Sequence, residues 1–174
     1  MPLSGRRYSI GEIQTLLLQA GWPDIIVNDS DGDPQPLIVI MSAIAISESQ
    51  GYAGARTPPL PLEDSVGLLQ INRKAWGHSV EELSDPLTNL RIAYDGPYKS
   101  RKGLNSWGPY FSGIYADNLP AAWRAYGGQP PPKVQNTGGS TTNNQKPDAG
   151  VSSSIAKYLP YALGAVLLYL IVDE

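Results

Sequence analysis

The stretch AIAISESQG, residues 43–51, sets a carboxylate, Glu48, at the point where an apolar run comes to its end. Ile44 and Ala45 precede it by one helical turn and share its face. Apolar neighbours disfavour the ionised carboxylate. The partial negative charge at a helix C-terminus disfavours it too. Both raise the pKa and keep a proton on the group near neutral pH, which is what a general acid requires. A lone glutamate at a helix end is more often a solvated surface group. The reading of Glu48 therefore rests on what the rest of the chain sets beside it.

Downstream comes a second run, EDSVGLLQIN, residues 63–72. Together AIAISES, SVGLLQIN, DPLTNLRIAY and WGPYFSGIY resemble the lysozyme-like superfamily, and within it the soluble lytic transglycosylases of phage lysins and tail proteins. The resemblance spans Tyr8 to Tyr126. It implies a mainly α (α+β lysozyme-like) globular domain that cleaves the β-1,4 bond between N-acetylmuramic acid and N-acetylglucosamine in peptidoglycan. In that family the acid matched by Glu48 protonates the glycosidic oxygen and, in transglycosylases, later takes the C6 hydroxyl proton. Ser65 matches a serine that contacts the substrate N-acetyl group. Gly67 would let the backbone pass close to the sugar, and Gln70 and Asn72 would line the cleft. Tyr115 matches the tyrosine near the acid, although the family's Ala-Tyr-Asn string is missing here.

One position separates the mechanisms. Hen-type lysozymes carry an aspartate two residues before the glycine of this motif, and here that residue is Ser65. A retaining glycosidase needs a second carboxylate about 5 Å from the first. Transglycosylases avoid the need, because the acetamido group assists and the C6 hydroxyl closes a 1,6-anhydro ring. Asp64, with Glu63 next to it, is the possible second carboxylate: a small backbone shift would bring it to the cleft as a base for water. The expected activity is therefore lytic transglycosylase first and hydrolytic lysozyme (muramidase) second. A reading from another class is a non-catalytic structural or wall-binding virion protein with the same fold, and the presence of Glu48 argues against it.

Flat sugar faces stack on aromatic rings. Among Trp76, Trp107, Tyr110, Tyr115 and Trp123, the cleft is assigned Trp107 or Tyr110, and the other tryptophans the core. NDSDGDPQP, residues 28–36, has the look of a calcium loop, but Pro34 stands at its sixth position and Ile40 where a closing glutamate belongs. It reads as a polar loop joining two helices. His78 has no metal-ligand companion and reads as a loop residue. The run Lys99–Lys102 reads as a solvated loop. No metal and no cofactor is expected.

Several elements must position these groups. Ser9 with Glu12 forms a capping box that opens a helix, and Gly21 stops it. The run from Pro36 to Gln50, apolar nearly all round, predicts a buried helix with Gly51 just past its end. Ser79 with Glu82 opens a short helix, Asp85-Pro86 opens one reaching Tyr94, and a last one lies around Pro120–Tyr126. The only good strand signal is VGLLQIN.

The chain divides by composition into three zones. Residues 1–127 form the lysozyme-like domain and carry the whole net charge of −3. Nothing in that balance points to nucleic acid. No cysteine is present, which excludes a disulfide framework. Residues 128–154 are rich in Pro, Gly, Ser, Thr, Asn and Gln and predict a flexible linker. Residues 155–172 are apolar except for Lys157 and span roughly 27 Å as a helix, enough for a transmembrane anchor. A helix docked on the domain or on a partner is the alternative. The N-terminal stretch lacks the pattern of a secretion signal. An enzyme on a tether, with a membrane segment, is expected in a virion, anchored in a phage internal membrane or delivered to the host cell envelope. Its expected partners are peptidoglycan strands, the membrane and other virion proteins.

Overall fold

The computed structural model describes residues 3–61, 63–100 and 102–128. The expected linker, after Gly128, and the expected transmembrane segment at 155–172 lie outside the described residues. Among the described residues no helix is long and apolar enough to cross a membrane.

Helix α1, Ile10–Gln19, opens with the expected capping box: the Ser9 N–H donates to Glu12 at 2.8 Å, and the Glu12 N–H donates to Ser9 Oγ. It closes in a Schellman motif, with Gly21 N–H donating to Leu18 and Trp22 N–H to Leu17. Its inward face carries Ile13, Gln14 and Leu17.

Helix α2, Leu37–Ser49, is the centre of the molecule. Every residue from Leu37 to Ala45 is buried, so the helix has no polar face to turn outward. Burying each large aliphatic side chain contributes about 1.5–3 kcal/mol. Helix α1, the last helix and the 3₁₀ turn Ile114–Asn118 pack around it. A buried polar node fastens three of them. Gln14 of α1 donates to Ser42 of α2 at 3.1 Å and to the carbonyl of Ala122 at 2.8 Å.

Between α1 and α2 the chain forms a hairpin rather than the expected plain loop. Strand β1, Ile26–Asn28, pairs antiparallel with β2, Pro34–Pro36. The loop between them is closed by Asp29, whose carboxylate accepts from the N–H groups of Asp31 and Asp33 at 2.9 Å. This aspartate folds its own backbone, which is the physical reason for so many acids and turn residues here.

The motif VGLLQIN becomes a second hairpin, β3 (Ser65–Val66) against β4 (Ile71–Asn72), turned by Gly67–Gln70. Short helices α3 (Arg73–Trp76) and α4 (Val80–Ser84) follow. Helix α5, Pro86–Ala93, is capped by Asp85 with proline in its first turn, and it runs on into a π-helical turn, Tyr94–Tyr98. Helices α6 (Gly108–Phe111) and α7 (Leu119–Tyr126) complete the domain. A cluster of Trp22, Tyr94, Tyr98 and Trp107 fills the space behind α5.

Candidate active site

Glu48 occupies the last turn of α2. The serines on either side of it are tied down. Ser47 donates to Ala43 and accepts from Asn118 of the 3₁₀ turn at 2.9 Å. Ser49 is buried and donates to Ala45 at 2.8 Å. These bonds fix the rotation of the final turn, so the half-buried Glu48 carboxyl has a defined direction. No hydrogen bond to that carboxyl is made within the described residues. Burial raises its pKa from an ordinary 4.5 to about 8, and the negative charge of Glu63 pushes the same way. Burial was expected from the sequence; the contribution of a second carboxylate, Glu63, was not.

The helix stops where the motif hairpin begins to dock. Gln50 takes a left-handed conformation (φ 52°) and Gly51 another (φ 83°). A side chain at Gly51 would meet the Tyr8 carbonyl at 2.4 Å, and the Tyr8 N–H donates to the Gly51 carbonyl at 2.8 Å. The reversal leads straight to Ala55, whose carbonyl accepts from Gly67 N–H at 2.8 Å and from Gln70 Nε2 at 2.9 Å. Arg56 pairs with Val66, and Thr57 N–H donates to Ser65. In this way the Glu48 end of α2 and the SVGLLQIN hairpin are built into one structure within a few residues.

The structure moves several expected cleft residues into the framework. Trp107 is 3% exposed and donates from Nε1 to the Leu69 carbonyl at 3.0 Å. Tyr110 is 7% exposed and its hydroxyl donates to Asn28. Tyr115 is 1% exposed, stacks on Tyr110, and bonds through its hydroxyl to Ser30 in the β1–β2 loop. All three rings pack the core and staple the hairpins, because buried aromatic polar tips find partners there. Gly67 is also framework. Its missing side chain faces inward, where a Cβ would lie 2.1 Å from Asn89 Nδ2 and 2.2 Å from the Leu83 carbonyl. Close approach to buried Asn89 by itself requires glycine there.

The remaining expected residues stay beside the turn. Ser65 is nearly buried, with its N–H bonded to Thr57 Oγ1 at 2.8 Å. Asn72 caps α3 by accepting from Lys74 and Ala75 N–H. Gln70, in a left-handed conformation (φ 45°), spends its amide N–H groups on Ala55 and Gly67. Its Oε1 is buried without a hydrogen-bond partner among the described residues.

Asp64 is not a base for water. It is 1% exposed and clamped by Arg56 at 2.8 and 3.0 Å, with Arg73 bonding the same carboxylate from the other side. The Arg56 hydrogen bond is the largest cause holding its pKa down at about 2. A carboxylate so bound has its lone pairs engaged and too little basicity to take a proton from water. Its role is structural. Asp64→Asn is expected to cost about 2–3 kcal/mol, a buried ion-pair loss discounted because both arginines are partly in water. Urea unfolding above pH 5 measures it. The folded pKa lies below the unfolded one, so wild type holds this contribution above about pH 4 and loses it as pH falls through about 2.

One residue central to the arrangement was not singled out from the sequence. Asn89 is fully buried on α5. Its Oδ1 accepts from Leu69 N–H at 3.0 Å, and its Nδ2 donates to the carbonyls of Val66 and Leu83 at 3.0 and 3.1 Å. The available signal was an asparagine on the apolar stripe shared with Leu90 and Ala93.

Residues 28–109 match the family described as a lysozyme-like domain. No curated protein and no solved structure matches the chain. The matched span takes in Glu48, the whole hairpin motif and its Asn89 staple, on a mainly helical frame of the kind typical of peptidoglycan-cleaving enzymes. Over residues 28–109 the chain is thus similar to a lysozyme-like domain.

Proposed function

We propose that this protein is a peptidoglycan-degrading lytic transglycosylase that cleaves the β-1,4 bond between N-acetylmuramic acid and N-acetylglucosamine. The observation that carries the proposal is Glu48: a carboxyl that holds its proton to about pH 8, beside the motif hairpin, without an internal hydrogen bond to occupy it. Such a group protonates the glycosidic oxygen as the C1–O bond breaks. Its conjugate base then takes the proton of the C6 hydroxyl as that oxygen closes on C1. One residue serves both steps, and no water is consumed. The clamping of Asp64 favours this course over hydrolysis, since an inverting lysozyme needs a free second carboxylate to activate water.

Mass spectrometry of muropeptides released from purified walls tests the reading. The expected products end in 1,6-anhydro sugars, lighter by one water than reducing ends; reducing ends alone would make the enzyme a muramidase, and no release would remove the enzymatic reading.

The same proposal places the enzyme in a virion. There the polar stretch 128–154 would tether it to a membrane through 155–172, so that it opens the wall locally as the genome enters. The support is the order of zones in the sequence: catalytic domain, polar stretch, apolar segment. Detection in purified particles, and flotation with lipid vesicles that is lost on removing residues 155–172, are the expected results.

A further inference from the structure

We propose, resting on that reading, that a groove along α1 binds the peptide stem of peptidoglycan, with Arg7 holding the carboxylate at the end of the stem. Two hollows of about 440 and 230 Å³ make up the groove. Arg7, Ile10 and Ile46 line the first, and Arg6, Leu16 and Gln19 the second. Tyr8 and Glu12 line both, so the two run into each other. Tyr8, Ile10, Leu16 and Ile46 are half-buried, and their outer surfaces form an apolar floor open to water. Covering such a floor with a ligand is favourable.

Length and charge say which ligand. Glu12, Leu16 and Gln19 follow at helical spacing, so the groove continues along one face of α1. The ten residues of that helix rise about 15 Å, and an extended peptide advances about 3.3 Å per residue, so roughly four to five residues lie along it. Peptidoglycan stems have this length, with small side chains and a free carboxylate at the end. Glu12, the carboxylate on the wall, is already engaged. It accepts from the Ser9 N–H and hydroxyl at 2.8 and 2.9 Å, and it pairs with Arg6, which also covers the Tyr8 ring.

Arg7 is held but not neutralised. Its Nε donates to the Gln50 carbonyl at 3.0 Å, its guanidinium lies 5.7 Å from the centre of the Tyr52 ring, and its backbone bridges Tyr52. Among the described residues it makes no ion pair. A guanidinium fixed through Nε keeps its outer N–H groups for a carboxylate and has little freedom left to lose on binding. The same bond ties the groove to the reacting end of α2. Gln50 follows Glu48 by two residues, at most about 7.6 Å between Cα atoms. Ile46 precedes Glu48 by two residues and points about 200° away round the helix. A sugar at Glu48 and a stem beside Arg7 thus occupy two sides of one helix end. The stem then holds its strand at Glu48, which makes stem-bearing wall the preferred substrate.

Fluorescence anisotropy of a labelled stem peptide ending in D-alanine, titrated with the full chain, tests the assignment. Saturable binding is expected, weakened about 10-fold or more when the terminal carboxylate is amidated, and by a similar factor in Arg7→Gln. Thr15→Glu sets a new carboxylate on the wall of the second hollow, away from the Gln50 anchor, and should weaken binding too. Far-UV circular dichroism checks that both variants are folded. Wild type should also cleave intact wall faster than strands stripped of their stems by an amidase, and both variants should narrow that ratio. No saturable binding, or equal affinity for the acid, its amide and an unrelated acidic peptide of the same length, would overturn the assignment and leave the Glu48 mechanism standing. Stem binding by a wild-type chain that cleaves nothing would keep the groove and remove the enzymatic reading.

Discussion

Glu48→Gln is expected to reduce wall cleavage by about 10²–10⁴-fold, the usual contribution of a positioned general acid. Glutamine keeps the shape of the side chain and removes the transferable proton, so zymography on native and variant chains, at equal folded concentration, reads the chemistry. The wild-type pH profile carries a matching signature. Activity needs the protonated form, so it should persist to about pH 8 and fall above it, well beyond where an ordinary glutamate at 4.5 would have ionised. The stability effect runs the other way. Between the unfolded pKa and the folded one, the unfolded chain has released the proton that the native state keeps, so wild-type stability falls as pH rises across that window. Above about pH 8 the native state carries the full cost of a buried charge, and Glu48→Gln does not. The variant is therefore expected to be more stable than wild type there, by about 1–3 kcal/mol after allowing for partial screening by water. A catalytically dead variant that is also tougher at alkaline pH marks Glu48 as a site where stability is given up for function.

The largest loss of stability is expected at the contact between Gly67 and Asn89. Gly67→Ala would place a methyl group 2.1 Å from the Asn89 amide and 2.2 Å from a backbone carbonyl, at a φ of 90° that side chains resist. Asn89→Ala would strand Leu69 N–H and the carbonyls of Val66 and Leu83. Each buried group left unpaired costs about 1–3 kcal/mol, and the expected loss for either variant is about 3–5 kcal/mol. Chemical denaturation measures both. The double variant is the sharper test, because removing the amide gives the new methyl group room. Its loss should fall short of the sum of the two singles by more than about 1 kcal/mol. Strict additivity would show that the two residues do not meet.

Much of the framework was legible in local sequence, because local rules govern it. The Ser9–Glu12 and Ser79–Glu82 boxes, the Asp85-Pro86 start and the apolar run into α2 each appear where expected, since the groups that satisfy a helix end lie within a few residues of it. The β1–β2 hairpin escaped notice. Its strands have three residues each and contain two prolines, and their pairing depends on a turn closed by one aspartate side chain.

At the candidate site, the sequence by itself determined that Glu48 would be kept from water: an acid with Ile44 and Ala45 one turn behind it loses water where that helix packs. Only the tertiary structure decided what the other groups do. Asp64 and Glu63 are neighbours of the same charge and look interchangeable in one dimension. Among the described residues the fold sends two arginines to Asp64 and none to Glu63, so Asp64 becomes a clamp with its pKa held at about 2, while the charge of Glu63 acts on Glu48. Trp107, Tyr110 and Tyr115 had the right chemistry for stacking on sugar, but ring type does not say which way a ring points. Burial and the partners of their polar tips, Leu69, Asn28 and Ser30, turned all three inward. Residue type fixes what a side chain can do, and only its neighbours, brought from far along the chain, fix which of those things it does.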